Sequence, residues 1–180
     1  MRKSLTNRIL WLCTYTIALS LNGCKEDEVT YKLGQHYGGG IIFYLDGSGK
    51  HGLIAALTDQ AIAEWSPAYS TTGATATNIG SGANNTNIIV ASLGIGNYAA
   101  RVCDDLVIDQ YDDWFLPSRD ELVELYKRKD LLGNFIVDYY WSSSEFADDT
   151  AWGQFFIDGE LDFSLAKSGN VLGVRAIRAF

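Results

Sequence analysis

Apolar and polar positions along the chain fall into blocks with different periods. "GGGIIFYLDGSGKHGLIAAL", residues 38–57, holds two apolar, β-prone runs around a polar, glycine-rich Asp46–Gly52, the pattern of a hairpin. Residues 66–87 are rich in Ser, Thr, Gly, Ala and Asn, with Tyr69 and Ile79 as their large hydrophobes, and read as largely a surface loop. "TNIIVASLGIGNYAARVCDDL" predicts two short helices broken near Gly94–Gly96. In "LPSRDELVELYKRKDLLG", Ser118 with Glu121 three places on forms a capping box, and Leu122, Leu125 and Tyr126 make a buried stripe. Lys127–Lys129 suit a helix C-terminus and Gly133 its stop. From Tyr139 the period shortens to two: "YYWSSS", "TAWGQFFID", "LDFSLAK" and "VLGVRAIRAF" are separated by turn formers and predict an antiparallel meander. A hairpin, a loop, helices and then a sheet describe an α+β plan.

The N-terminus has a separate character. Arg2, Lys3 and Arg8 precede an apolar run from Ile9 to Leu21, which is the layout of a secretion signal and too short to span a bilayer. The run closes in "LNGC", which resembles a bacterial lipobox with Cys24 as the lipidated, palmitate-bearing residue. The "KEDE" that follows is similar to the export signal of surface lipoproteins of the Bacteroidetes type. The expected organisation is a signal peptide over 1–23, an acidic tether over 24–36 and one domain over 37–180. Cleavage leaves 180 − 23 = 157 residues, enough for one core that buries roughly two thirds of its unfolded surface. The mature net charge is 11 − 22 = −11, which turns the domain away from nucleic acid and from anionic membrane faces. The membrane is met only through the anchor. Of three cysteines, Cys13 leaves with the signal and Cys24 takes lipid, so Cys103 has no disulfide partner. Ala99, Cys103 and Leu106 share one helical face, which makes Cys103 a buried small hydrophobe.

Candidate chemistry concentrates in "DYYWSSSEF", residues 138–146. A nucleophilic serine among Ser142–Ser144 needs a base, and the chain offers only His36 and His51, with neither GxSxG nor SxxK present. Catalysis is therefore not expected. "DGSGK" lacks the first glycine of a phosphate loop, where Tyr44 stands, and has His51 after the lysine. Asp112–Asp113, Asp148–Asp149 and Asp158/Glu160/Asp162 offer oxygen ligands for Ca²⁺, but their spacing fits no EF-hand loop, and no other cofactor is implied. Flat aromatic faces mixed with small polar groups suit a sugar or peptide site. The candidate ligand contacts are Tyr139, Trp141, Ser143, Glu145, Trp152 and Arg119, with Tyr140 and Phe146 in the same cluster.

Five motifs in order, "GGGIIFYLDGSGKHGLIAA", "DDWFLPSRDELVELY", "YYWSSSE", "AWGQFF" and "VRAIRAF", resemble the Lcl C-terminal domain family from about Gly34 to Phe180. The resemblance implies a C-type-lectin-like, formylglycine-generating-enzyme-like α+β fold, with two or three short helices on a twisted antiparallel sheet and long irregular loops. It also implies a surface adhesin whose relatives bind sulfated polysaccharide, a ligand ill matched to so acidic a chain. Glu-Pro-Asn, Gln-Pro-Asp and Trp-Asn-Asp triplets are absent, so the calcium-dependent sugar site of true C-type lectins has no counterpart here, and lone Cys103 cannot supply formylglycine-generating chemistry. The expected protein is an outer-membrane, surface-exposed lipoprotein that binds an extracellular glycan or protein ligand. The alternatives are a protein-interaction or structural module of the envelope and, last, an envelope enzyme.

Overall fold

The computed structural model describes residues 29–180. The expected signal peptide, Cys24 and the "KEDE" run lie outside the described residues.

The predicted hairpin is strand β2 (Gly40–Leu45) against β3 (Gly52–Ala56), closed by a turn in which the Asp46 carboxylate accepts from the Ser48 and Gly49 amides, each at 3.0 Å. Short β1 (His36–Tyr37) and C-terminal β9 (Ile177–Ala179) complete a four-stranded sheet in the order β1-β2-β3-β9. This sheet is covered on both sides. Alternation sends Ile42, Ile54 and Ala56 into one core, with Trp65, Ala99, Cys103 and Trp141. Ile41, Phe43, Leu53 and Ala55 go into a second core with Leu122, Leu125, Tyr140 and Phe156. Every residue of β3 is accordingly buried.

Two helices break where expected, α1 (Gly82–Leu93) and α2 (Ala99–Asp104). Cys103 is fully buried and burial pushes its thiol pKa up, which makes it unreactive at neutral pH. Helix α3 (Arg119–Lys127) has the predicted capping box: the Glu121 amide donates to Ser118 Oγ, and the Ser118 amide donates to Glu121 Oε2 at 2.7 Å. The helical stretch does not run on to Gly133 unbroken. It kinks at Arg128, where φ is −113°, before the single turn α4 (Lys129–Leu132).

Strands β5 (Tyr139–Glu145), β6 (Thr150–Phe155) and β7 (Leu161–Ala166) form the predicted antiparallel meander. The meander then stops. β8 (Leu172–Val174) returns to the free side of β5, pairs with it in parallel and carries β4 (Ala61–Ala63) beyond it, while β9 joins the first sheet. Gly173 permits this insertion, since a Cβ there would stand 2.5 Å from Tyr140 Cε1. The described residues form a mixed α+β domain of four helices and two sheets.

The predicted surface loop is corrected in two ways. Residues 82–87 belong to α1, and Ala74, in the irregular stretch before it, is fully buried in the first core. A non-regular segment can enter the interior only if its backbone groups find partners. Here Glu145 accepts from the Thr72 and Gly73 amides at 2.7 and 3.0 Å, Ser144 Oγ donates to the Ala76 carbonyl at 2.7 Å, and Asn85 Nδ2 donates to the same carbonyl at 2.7 Å.

Candidate functional site

The outer strands of the five-stranded sheet present an aromatic platform. Phe146 follows the last residue of β5, Trp152 stands mid-β6 and Phe163 mid-β7. Ring centroids lie 4.7 Å apart for Phe146–Phe163 and 5.5 Å for both Phe146–Trp152 and Trp152–Phe163. Phe146 is 50% and Phe163 48% exposed, unusual for rings in a folded domain. Register irregularities flank Trp152 on both neighbours, and such bulges re-aim side chains near the edge of a sheet.

Helix α3 supplies the polar rim. Arg119 lies over the Trp152 ring, 5.1 Å from its centroid, and donates through Nε and Nη2 to Asp120 Oδ1, both at 2.8 Å. The backbone puts these groups there. The Arg119 amide donates to Ser144 Oγ at 3.0 Å, Ser142 Oγ donates to the Trp152 carbonyl at 2.8 Å, and the Asp120 amide reaches the Thr77 carbonyl at 2.9 Å. The serine triplet thus locks the start of α3 and the centre of β6 to β5.

All three serines are fully buried. Ser143 Oγ accepts from Asn85 at 3.4 Å and the Ser143 amide donates to the Pro117 carbonyl at 2.7 Å. The histidines stand elsewhere: His36 on β1, and His51 with Nδ1 3.3 Å from the Phe180 carbonyl oxygen.

Of the expected ligand contacts, Arg119 and Trp152 meet on the platform. Trp141, Ser143 and Glu145 are interior, so direct ligand contact is corrected for all three. Trp141 is fully buried with Nε1 donating to the Ala63 carbonyl at 2.9 Å, because β5 is covered on both faces. Glu145 bonds Thr72 Oγ1 as well as the two loop amides and pairs with Lys167 Nζ at 3.3 Å. Burial opposes charge on Glu145, but the Thr72 hydroxyl and amide together with Lys167 outweigh it and hold the carboxyl below its usual range. Lys167 also donates to the Ser70 and Asp148 carbonyls, at 2.9 and 3.0 Å, and lies 4.8 Å from the Trp65 ring centroid. Tyr139 joins a different ring pair, 4.6 Å from Phe155; desolvation, then Asp162, Glu160 and Asp158, raise its phenol pKa. The sequence marks Phe163 only by the alternation of "LDFSLAK".

The acidic sets do not converge: among the described residues no three His, Cys, Asp or Glu side chains are placed to hold a metal ion. Asp113 is instead held by Arg178, with contacts of 2.6 and 2.8 Å that keep its carboxyl below the usual range, and Asp162 accepts from the Ser164 amide and hydroxyl, both at 2.7 Å. No described helix is long and apolar enough to cross a membrane.

No family model matches the chain, and no curated protein does. Among solved structures the chain is similar to a fimbrial protein from Bacteroides ovatus ATCC 8483, with a TM-score of 0.52 and 17% identity over 70% of this chain. At that identity the likeness is one of fold, and it takes in 35% of the length of that protein.

Proposed function

We propose that this chain is a surface-exposed, outer-membrane lipoprotein whose domain binds an extracellular ligand, without catalysis, in an adhesive role. The observation that carries the reading is the cluster of half-exposed Phe146 and Phe163 with partly buried Trp152, and Arg119 and Asp120 at its rim. Soluble domains rarely leave such rings open without a partner to cover them. The engagement of all three serine hydroxyls in structural hydrogen bonds speaks for binding over hydrolysis. The fold likeness to a fimbrial protein agrees with a surface role, and anchoring rests on the "LNGC" and "KEDE" motifs. A C-type-lectin-like scaffold of the Lcl C-terminal type is part of the same reading, supported by helices packed on antiparallel strands with a long irregular segment before α1.

Adhesion of cells displaying the chain to glycan- and protein-coated surfaces tests this. Trp152→Ala with Phe163→Ala should abolish retention while display is unchanged; retention equal to wild type would refute the platform. Palmitate labelling lost in Cys24→Ala is the expected result for the anchor, and persisting label would refute it.

A second reading, a protein-interaction module, has one observation in its favour. β7 is an edge strand with Leu161 and Phe163 exposed, although Asp162 occupies the Ser164 amide that an added strand would use.

A further inference from the structure

Resting on the platform reading above, we infer that the ligand is a neutral hexopyranose chain with equatorial hydroxyls, and that Arg119 and Asp120 form its hydroxyl-reading pair. Such a sugar is amphipathic: its ring faces carry C–H groups and its rim carries hydroxyls. A C–H face can lie on the exposed Phe146 or Phe163 ring, the two tilted 41° to one another, with Trp152 standing at 90° to Phe146 and 63° to Phe163 beside them. Each rim hydroxyl both donates and accepts. The adjoining ion pair offers the complement, because Arg119 Nε and Nη2 both use Asp120 Oδ1. Asp120 Oδ2 and Arg119 Nη1 therefore carry no protein partner among the described residues and stand beside the rings as one acceptor and one donor.

Charge selects against the other sugars. Arg119 is the cation at the platform and Asp120 matches it, so a sulfated or carboxylated chain reaching Arg119 Nη1 would meet no net positive charge and would be repelled by the adjoining Asp120 carboxylate. It would also approach exposed Asp148 and Asp149, in the turn that follows Phe146, on a chain of net charge −8. A cationic ligand reaching Asp120 Oδ2 would be repelled by the adjoining Arg119 guanidinium. A neutral polyol meets neither repulsion.

The test uses the full chain purified in detergent, titrated with cellohexaose, heparin and a sialylated oligosaccharide. Trp65, Trp114 and Trp141 are at most 2% exposed, so among the described residues Trp152 is the tryptophan whose emission reports on the surface. The expected result is a saturable Trp emission change with cellohexaose and none with heparin or the sialylated sugar. Phe163→Ala should weaken cellohexaose binding about tenfold. Asp120→Asn should weaken it while Asp105→Asn, at the end of α2 and paired with Arg101, does not. Heparin or the sialylated sugar binding in place of cellohexaose, and weakened by Phe163→Ala, would overturn the neutral-sugar inference and leave the platform standing. Cellohexaose bound equally by wild type and a Phe146→Ala/Phe163→Ala variant, which keeps the Trp152 reporter, would overturn the platform itself. Binding of none of the three would overturn the inference, with the adhesion assay deciding the platform separately.

Discussion

Two tryptophans in this domain lie under a cation matched by a carboxylate, and they do opposite jobs. Lys167 sits 4.8 Å from the Trp65 centroid and 3.3 Å from Glu145; Arg119 sits 5.1 Å from the Trp152 centroid and 2.8 Å from Asp120. The ingredients are alike and solvent separates them. The Lys167 and Glu145 side chains are 0% and 2% exposed, those of Arg119 and Asp120 29% and 38%. In the interior, desolvation makes each charge depend on its partner and on the Ser70, Thr72, Gly73 and Asp148 groups around it, so the set fastens the irregular 70–74 segment to the sheet. At the surface, water already solvates both ions and the pair adds little to stability. Its groups are free to exchange water for ligand.

The comparison predicts a ranked set of effects. Lys167→Met should be the largest: it strands the buried Glu145 carboxylate at a cost of about 3–5 kcal/mol in denaturant unfolding. Adding Glu145→Gln should restore part of that loss, and a double variant no better than the single would show that the two do not act as a pair. Ser142→Ala, which leaves the Trp152 carbonyl without its donor, should cost about 1–3 kcal/mol and also weaken ligand binding by loosening the platform.

A smaller effect concerns acid. The Glu145 carboxyl is held below its ordinary value of 4.5, so its contribution is present above that value and lost as pH falls through the folded one. Glu145→Gln should flatten the fall of the melting temperature between about pH 5 and pH 3 relative to wild type, without abolishing it, since Asp113 is lowered by Arg178 in the same direction. A wild-type slope in the variant would show that the pair does not hold Glu145 ionised. Smallest of all, Arg119→Ala should move stability by no more than about 0.5 kcal/mol in the same unfolding assay. Its effect belongs in the binding titration, where the Lys167 and Glu145 variants should act only through unfolding.

Local chemistry determined several parts of this molecule from the sequence alone. The β2–β3 hairpin follows from two apolar runs around Asp46–Gly52, and the start of α3 from Ser118 and Glu121, since capping is settled within one helical turn. The gap between α1 and α2 follows from Gly94 and Gly96. The tertiary structure alone decided which aromatics are covered. A strand tells which side chains share a face but not what lies on that face, so Trp141 and Trp152 read alike although one is core and the other lies on the platform. Only the fold decided the pairing of β8 with β5 and the burial of the segment before α1, because both depend on partners distant in sequence, such as the Thr72 amide and Glu145, 73 residues apart. No local propensity encodes contacts of that range; they form only when the closed core makes an unpaired backbone group costly.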